Sequence, residues 1–421
     1  MNTMRHSGQI SGIRLRAASA ALAAVLGLGF VAIQSAQAQS YRETVLHSFT
    51  DAPDGASPRA GLIRDEAGNF YGTTHDGGDP GEGTVFQVTA SGKETVLYSF
   101  RGYPDAARPQ AVLVRDATGD LFSTTTYYGG AFLWGAVFKV TKAGKETVLY
   151  SFTGGADGGY PTGGVVRGGA GNLYGTTIDG GDGSGCYYGG CGTAFKLDVT
   201  GKETVLFSFT VGKDGASPAA GLVRDSVGDV YGTTYYGGNA ACNKSGNVGC
   251  GTVFKVTKSG KEIALYGFTG GTDGSFPYAG LLRDAKGDLY GTTSEGGDLK
   301  CAPPYGCGTV FKLTKARKLT VLYSFTGGAD GAGPNGDLIQ DTAGNLYGAS
   351  GGGNGRVFKL TKAGKLTVLY NFTGGVDGAG PNGDLVRDAA GNLYGTTIGG
   401  GDLNCNLNGI PGCGVVFKLT P

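Results

Sequence analysis

The chain repeats one unit seven times between Tyr41 and its C-terminus, and the fixed spacing inside this unit limits the folds available to it. The unit reads ETVLYSFTGGxDGxxPxxGLVRDxxGNLYGTTxxGG, then a variable stretch, then GTVFKLTxxGK. An aromatic marker in the YGTT run identifies each copy: Tyr71, Phe122, Tyr174, Tyr231, Tyr290, Tyr347 and Tyr394. A period of about 50 residues holding four short strand-like runs is typical of a β-propeller with one repeat per blade.

Insertions and deletions fall in one part of the unit only. From the SFT-type Phe (Phe49 in the first copy) to the marker the distance is always 22 residues, and from the VFK-type Phe (Phe86 in the first copy) to the next SFT-type Phe it is always 14. From the marker to the VFK-type Phe it ranges from 11 to 23 residues. Three connections are therefore structural, and one loop is free to diversify.

The four runs GLVRD, NLYGTT, GTVFKLT and ETVLYSF are rich in Val, Leu, Thr and aromatic residues, and none has a helical period. We name them strands a, b, c and d and predict an all-β fold, a seven-bladed β-propeller of four-stranded antiparallel blades.

The chain starts with a d-type run at 43–49 and ends with a c-type run at 415–420. We therefore predict that the N-terminal strand pairs in the last blade and closes the ring. Because the strands alternate in direction, the b–c and d–a loops share one face, here called the loop face.

The first 38 residues differ in composition from the repeats. Arg5, Arg14 and Arg16 precede or enter an apolar run at 17–33, and Ala36-Gln37-Ala38 follows. This order predicts a secretory signal peptide at 1–38, leaving 39–421 as a single propeller. The alternative, a membrane anchor, is disfavoured because a membrane span prefers about 20 apolar residues.

Cleavage removes three Arg and no acidic residue, so 35 basic residues become 32 against 34 acidic ones. The near-neutral mature chain argues against nucleic acid or membrane as a partner, and we expect a secreted or periplasmic monomer.

All eight Cys lie in four b–c loops, two in each loop. In an exported protein this favours four local disulfides, and the spacing lacks the repeated C-x2-C of structural zinc. The predicted pairs are Cys186 with Cys191, Cys242 with Cys250, Cys301 with Cys307, and Cys405 with Cys413.

Aromatic residues collect in the same loops and are the predicted ligand contacts, because amphipathic rings on Gly-rich loops stack on sugars or peptides. The alternative is that some fold back over the barrel mouth or continue strand b. The predicted set is Tyr127, Tyr128, Trp134, Tyr187, Tyr188, Tyr235, Tyr236 and Tyr305.

Two acidic patterns recur. An Asp stands four residues before the Pro of every d–a loop, at Asp54, Asp105, Asp157, Asp214, Asp273, Asp330 and Asp377. Asp in such a turn commonly accepts backbone N–H groups, so a turn role is favoured over a ring of ligand-binding carboxylates.

A second set of side-chain oxygens follows the GG of the b–c loops, at Asp79, Asp182, Asn239, Asp298 and Asp402. Calcium is the alternative that these oxygens leave open, but the dense spacing of a calcium loop is missing and we expect no cofactor.

Sequence motifs of catalysis are absent: the chain has no G-x-S-x-G, HExxH or P-loop, and only His47 and His75 follow the signal segment. An acid pair for sugar hydrolysis remains open among Asp76, Asp79, Glu82, Asp179, Asp182, Glu295 and Asp298. No catalytic residue is assigned.

The unit resembles the GloVer (Gloeobacter–Verrucomicrobia) tandem repeat of exported bacterial proteins, through GxLVRDxxGNLYGTTxxGG at 221–238 and GTVFKVTxxGKEIALYGF at 251–268. The resemblance covers essentially all of 41–421 and implies an extracytoplasmic repeat protein without an established activity. Anchored members carry a C-terminal sorting signal; this chain ends in VVFKLTP without an apolar tail, which favours release over anchoring.

We therefore predict a non-catalytic, exported binding module that takes a glycan or a protein through its loop face, with blades 3, 4, 5 and 7 carrying the site. The alternatives are an extracellular polysaccharide hydrolase or lyase that uses loop carboxylates, and a structural protein of the cell envelope.

Overall fold

The computed structural model describes residues 41–128, 132–182, 186, 189–244, 247–381, 384–407 and 409–421. These residues form seven four-stranded antiparallel blades, as the repeat predicts. Strand a comprises Ile63–Arg64, Val114–Arg115, Val166–Arg167, Val223–Arg224, Leu282–Arg283, Ile339–Gln340 and Val386–Arg387. Strand b comprises Phe70–Thr74, Leu121–Tyr127, Leu173–Thr177, Val230–Thr234, Leu289–Thr293, Leu346–Ser350 and Leu393–Gly399.

The outer half of each blade is formed by strands c and d. Strand c comprises Thr84–Val88, Ala136–Val140, Thr193–Leu197, Thr252–Val256, Thr309–Leu313, Arg356–Leu360 and Val415–Thr420. Strand d comprises Glu94–Ser99, Glu146–Ser151, Glu203–Ser208, Glu262–Gly267, Leu319–Ser324, Leu366–Asn371 and, in blade 7, Arg42–Ser48.

The remaining elements are short. Ala107–Pro109 and Ala379–Pro381 extend the inner edges of blades 2 and 7. Two loop hairpins pair Asn243–Lys244 with Asn247–Val248 and Asn406–Leu407 with Ile410–Pro411. In the described part of the chain, one 3₁₀ turn is present, at Gly169–Gly171. None of the described residues forms a helix with the length and hydrophobicity that a membrane span needs.

The ring is closed as the sequence predicts. The first strand runs antiparallel to the last, with Val45 opposite Phe417 and Thr44 opposite Lys418. Blade 7 therefore takes its outer strand from the N-terminus, which leaves no open edge between the two chain ends.

The hydrophobic core lies between the blades. The Phe after each strand d meets the strand c Phe of the next blade edge to face, with centroids 5.1 Å apart for Phe49 and Phe86 and 5.1 Å for Phe372 and Phe417. Below this contact, a Cβ at Gly72 would lie 2.6 Å from Cζ of Phe86. The Gly of YGTT is therefore required because the Phe ring occupies the space of a side chain.

The recurring Asp of the d–a loop has the predicted turn role. In blade 2, Asp157 accepts the N–H of Thr153 at 2.9 Å and the hydroxyl of Tyr150 at 3.0 Å. Asp330 and Asp377 make the same pair of bonds to their own loops. These carboxylates hold the loops against the end of strand d.

All four predicted disulfides are present: Cys186–Cys191, Cys242–Cys250, Cys301–Cys307 and Cys405–Cys413. Each pair lies within one b–c loop, with Cα atoms 5.3 to 5.7 Å apart. Four such bonds are typical of a protein that folds in an oxidising, extracytoplasmic compartment.

Strand a differs from the expectation. The sequence predicts a five-residue run, GLVRD, but only two residues pair with strand b in each blade. The residues before it line the central cavity of the ring. This inner segment positions the site described next.

Candidate functional site

The aromatic residues predicted to bind a ligand are distributed over several loops. Tyr127 ends strand b of blade 2 and Tyr128 follows it; they are 45% and 43% exposed. Tyr305 lies in the b–c loop of blade 5 and is 42% exposed. Tyr187 and Tyr188 lie outside the described residues.

Trp134 is partly buried by contacts within the fold. Its ring centroid is 4.8 Å from that of Tyr160, which is 5.3 Å from that of Tyr127. A Cβ at Gly154 would lie 2.3 Å from the indole. Trp134 therefore holds the d–a loop between blades 2 and 3 in place, and a ligand contact by this residue stays a prediction.

A second aromatic cluster leads from the blade 4 loop toward the centre of the ring. Tyr235 packs against Tyr236 with centroids 4.6 Å apart and stacks on Phe276 at 5.1 Å. Its other neighbour is Tyr278, at 5.9 Å. Tyr278 is 48% exposed and lines the central channel, so the paired Tyr residues support a ring that faces the channel directly.

The central channel holds a cavity of about 550 Å³, lined by residues from all seven blades. Its wall is built from the inner segments, which run from the Pro of each d–a loop to strand a. We define the ring position as the third residue after this Pro and the rim position as the first. The ring positions are Gly61, Val112, Gly164, Gly221, Gly280, Asp337 and Asp384.

Two carboxylates break the symmetry of the ring at blades 6 and 7. The N–H of Gly280 donates to Asp337 Oδ1 at 2.5 Å, and the N–H of Asp337 donates to Asp384 Oδ1 at 3.0 Å. Burial, reinforced by the Asp384 carboxyl, raises the pKa of Asp337 well above its ordinary value. Burial also raises the pKa of Asp384 to about 6. The pair therefore offers a protonated donor beside an acceptor near neutral pH.

The rim position varies in chemistry from blade to blade. Arg59, Gln110, Tyr278 and Asn335 carry a guanidinium, an amide, a phenol and a second amide into the same cavity. The amide of Gln110 donates to the hydroxyl of Thr126. These groups are planar and polar, and along the chain the rim position is two residues closer to the d–a loop than the ring position.

The ring position also decides how neighbouring blades are joined. The first Thr of YGTT donates to the carbonyl before the ring residue of the next blade in four places: Thr124 to Gly163 at 3.3 Å, Thr176 to Ala220 at 3.1 Å, Thr233 to Ala279 at 3.0 Å and Thr396 to Ala60 at 2.8 Å. In each case the next ring residue is Gly. We call these bonds the Thr clamps.

The Thr clamps are missing before every ring residue that has a side chain. The hydroxyls of Thr73 and Thr292 are buried without a hydrogen-bond partner among the described residues, and blade 6 has Ala349 instead. Neighbouring inner segments approach closely, since a Cβ at Gly61 would lie 2.4 Å from the N atom of Asp384. Each ring residue with a side chain thus lies at a junction without a Thr clamp. Such a departure from the repeat is typical of a functional position.

One b–c loop reaches the channel. Among the described residues that line the cavity, Ile410 is the single one that belongs to such a loop. It sits on the hairpin of blade 7, whose ends are joined by Cys405–Cys413. The N–H of Gly400 donates to the carbonyl of Pro411 at 2.8 Å and ties the hairpin to strand b. Blade 7 therefore supplies both a ring carboxylate and an apolar side chain to the channel cavity.

A family model, the Gloeobacter/Verrucomicrobia repeat, matches residues 29–244 and 240–421. The chain belongs to this repeat family. Its seven copies of the GxLVRDxxGNLYGTT unit are thus the blades themselves, and the resemblance seen in the sequence is confirmed.

Several solved structures match this repeat protein at low sequence identity. A gluconolactonase from Xanthomonas campestris is 14% identical, with 90% of this chain and 89% of that chain covered and a TM-score of 0.43. A luciferin-regenerating enzyme is 11% identical over 90% and 95% of the chains, with a TM-score of 0.42. PorZ, a surface component of the type-IX secretion system of Porphyromonas gingivalis, is 15% identical over 82% and 46%, with a TM-score of 0.48. No curated protein matches. Similarity at this level carries no argument about activity.

The seven carboxylates considered for hydrolysis lie in the b–c loops of blades 1, 3 and 5. Asp76 contacts Nδ1 of His75 at 2.9 Å, and Glu82 pairs with Nε of Arg108 at 3.1 Å, both in or beside blade 1. In blade 3, burial raises the pKa of Asp179 to about 6. The carboxylates that line the central channel are instead the two ring residues of blades 6 and 7.

Three of the five side chains considered as calcium ligands accept hydrogen bonds from N–H groups of their own loops. Asn239 accepts the N–H of Ala241, Asp298 that of Lys300 and Asp402 that of Asn404, each at 3.0 Å. In the described parts of the chain, no group of three or more His, Cys, Asp or Glu side chains is arranged to hold a metal ion. The metal content stays untested.

Sequence reasoning missed the ring carboxylates, although the sequence carries their signal. Blades 6 and 7 read P-N-G-D-L where the other repeats place a small or apolar residue before Leu or Val. Aligning the seven units on the Pro shows the change at once. Its meaning depends on the fold, because only the propeller brings this position to the channel.

Proposed function

We propose that this protein is an extracytoplasmic carbohydrate-binding module, secreted or periplasmic, whose site is the loop-face mouth of the central channel. The observation that carries the proposal is the asymmetric set of rim and ring residues around one cavity. A purely structural ring would be served by the small residues that most blades place at the ring position.

The chemistry of the cavity suits a polyhydroxylated ligand. Carboxyl, amide and guanidinium groups can each engage two neighbouring hydroxyls, and Asp337, Asn335 and Arg59 supply all three types. Tyr278 adds an aromatic face backed by Tyr235. Aromatic rings in binding sites provide apolar contact while their hydroxyls stay hydrated, which matches the two-sided surface of a sugar ring.

The dimensions of the site agree with a small ligand or the end of a chain. The cavity of about 550 Å³ falls within the range of about 300 to 1,000 Å³ that is usual for small-molecule sites. The inner segments are backbone-rich and hydrogen-bonded to their neighbours, so much of the site is formed before the ligand arrives. Such preorganisation lowers the ordering cost of binding.

The test is a binding screen of the mature, oxidised protein against bacterial and plant polysaccharides and their short oligosaccharides. For a ligand found in this way, we expect Tyr278→Ala and Asp337→Asn each to weaken binding about tenfold or more, equivalent to about 1.4 kcal/mol. Tyr103→Ala is the control, because Tyr103 is 73% exposed and does not line the channel.

A further variant separates the channel mouth from the outer loops. If Tyr305→Ala abolishes binding while Tyr278→Ala leaves it unchanged, the site lies on the loops and the channel proposal is wrong. If no carbohydrate binds and a protein partner is captured through the same face, the protein-ligand alternative replaces it.

The ring carboxyls favour a second candidate function, hydrolysis of a glycosidic bond. A carboxyl kept protonated beside one that titrates near pH 6 provides a general acid and a general base in one cavity. Reading released reducing ends in the same screen tests this. Product that depends on both Asp337 and Asp384 and shows a pH optimum would establish an enzyme; binding without product would leave the module as proposed.

A further inference from the structure

A second cavity, of about 520 Å³, opens on the face opposite the loop face, between blades 4 and 5. Its wall includes the a–b turn of blade 4 and the c–d turn of blade 5, with Asp225, Asp229, Arg283, Lys315 and Arg317 among its residues. We call it the blade 4–5 groove. It is remote from the ring carboxylates and plays no part in the function proposed above.

Arg317 is held in a backbone conformation that its side chain disfavours. Its φ is 59°, in the left-handed region. The same position of the c–d turn is Gly in the other blades that have it, at Gly92, Gly144, Gly201, Gly260 and Gly364, with φ between 77° and 88°. A non-glycine residue there costs roughly 1–2 kcal/mol. Strain kept at one copy of a repeat points to a role for the side chain, since Gly would relieve it.

Two more cations converge beside the adjacent a–b turn of blade 5, at Gly287. A Cβ at Gly287 would lie 2.9 Å from Nη2 of Arg283 and 3.1 Å from Nζ of Lys315, so both charged ends meet beside one backbone position. The Nε of Arg283 is buried without a hydrogen-bond partner among the described residues. Like charges repel at such separations unless an anion lies between them.

The carboxylates of the groove do not neutralise these cations. Asp229 forms an ion pair with Lys255. Asp225 accepts the hydroxyl of Tyr231 at 3.0 Å and the N–H of Gly228 at 3.0 Å. Within the described ranges, no ion pair involves any of the three cations, which are Arg283, Lys315 and Arg317.

Backbone strain at Arg317 and the charged ends of Arg283 and Lys315 thus meet in the blade 4–5 groove.

We propose that the blade 4–5 groove binds a tetrahedral oxyanion, a phosphate or sulfate group. Two guanidinium groups and one ammonium line the groove, and guanidinium recognises such oxyanions through paired N–H bonds. A dianion would offset the mutual repulsion of Arg283 and Lys315. The group is either free in solution or the end of an ester on a larger ligand.

The test measures binding of inorganic phosphate, inorganic sulfate and glycerol 1-phosphate to the full mature chain by calorimetry and by thermal unfolding, at constant ionic strength set with NaCl. We expect a saturable response in the wild type. Arg317→Gly and Lys315→Ala should each weaken it at least about tenfold. Lys362→Ala, at the position equivalent to Lys315 in blade 6, should bind as the wild type does.

Arg317→Gly also excludes misfolding as the cause of lost binding. Because it restores the residue that the other blades use, its melting temperature without anion should equal or exceed that of the wild type. No saturable response in the wild type, or an unchanged response in Arg317→Gly, would overturn the proposal. Tighter binding of glycerol 1-phosphate would assign the site to an ester, and tighter binding of inorganic phosphate or sulfate to a free anion.

Discussion

At the scale of single residues, the repeat contains two sets of acidic side chains whose pKa values shift in opposite directions. The Asp carboxylates of the turns accept several hydrogen bonds, and despite partial burial these bonds lower the pKa of Asp330 below its usual value. The Glu residues that start strand d are half-buried instead, and no hydrogen bond reaches Oε1 of Glu146 or Glu203 among the described residues. Burial, together with the Asp of the preceding d–a loop, raises the pKa of Glu203 to about 7 and that of Glu146 to about 8.

A raised carboxyl pKa gives a defined pH dependence of stability. Below the ordinary Glu value of 4.5 both states are protonated, so the group has no effect. As the pH rises, the unfolded state ionises first, and the native state loses stability until the pH passes the folded value near 8. Five strand d residues contribute in the same direction: Glu43, Glu94, Glu146, Glu203 and Glu262.

We therefore predict that the melting temperature falls between pH 5 and pH 8.5, and that Glu146→Gln reduces this fall. The amide keeps the shape of the protonated acid but cannot ionise, so the variant should be more stable than the wild type at pH 8.5, with a smaller difference at pH 5. Thermal unfolding followed by circular dichroism measures this. An equal change in Glu66→Gln, an exposed residue of an a–b turn, would contradict the explanation.

At the scale of the strands, the Thr clamps connect strand b of one blade with the inner segment of the next. Their acceptors are backbone carbonyls in the channel wall, so each clamp fixes both the blade junction and the cavity. The junctions that lack a clamp are those leading into blades 2, 6 and 7, where the ring carries Val112, Asp337 and Asp384. At the junctions leading into blades 6 and 7, the inner segments are joined instead by the ring carboxylates, which accept the N–H groups of Gly280 and Asp337.

Replacing a clamp by an isosteric side chain should show its contribution. We predict that Thr233→Val lowers the free energy of unfolding by about 1–2 kcal/mol, because the carbonyl of Ala279 loses a buried donor. Thr73→Val is the matched control: its hydroxyl is equally buried but has no partner in the described chain, so the loss should be near zero or reversed. Chemical denaturation of both variants tests this, and equal losses would show that the Thr clamps do not stabilise the blade junctions.

At the scale of the whole molecule, stability depends on joining the two ends of the chain. Strand d of blade 7 comes from 42–48 and strand c from 415–420, so no local sequence contact forms this pair. Removing the first strand would expose the edge of the last strand and the buried ring of Phe417, which is 0% exposed. Open, apolar strand edges promote association between chains.

We predict that a chain starting at residue 51 unfolds at a much lower temperature or aggregates, whereas a chain starting at residue 40 keeps the full melting temperature. Size-exclusion chromatography and thermal unfolding distinguish the outcomes. A stable, monomeric chain starting at residue 51 would show that blade 7 does not need its outer strand.

Much of this architecture could be derived from the sequence because the repeat is regular. The constant distances of 22 and 14 residues define three connections, and Gly at fixed positions permits the turns and the close packing under the Phe rings. The disulfides followed from the same regularity, since two Cys in one short loop need no partner from another blade. Each of these features is decided within one repeat or by its period.

The site was decided only by the tertiary structure. Asp337 and Asp384 are 47 residues apart in sequence, and Tyr278 and Arg59 belong to blades 5 and 1, so their meeting in one cavity depends on closure of the ring. The Tyr residues of the loops could be recognised from the sequence because the loops are rich in aromatic residues. The inner segment could not, because its sequence was assigned to strand a. Sequence determines which side chains each blade carries; the packing of seven blades around a common axis decides which of them share a channel.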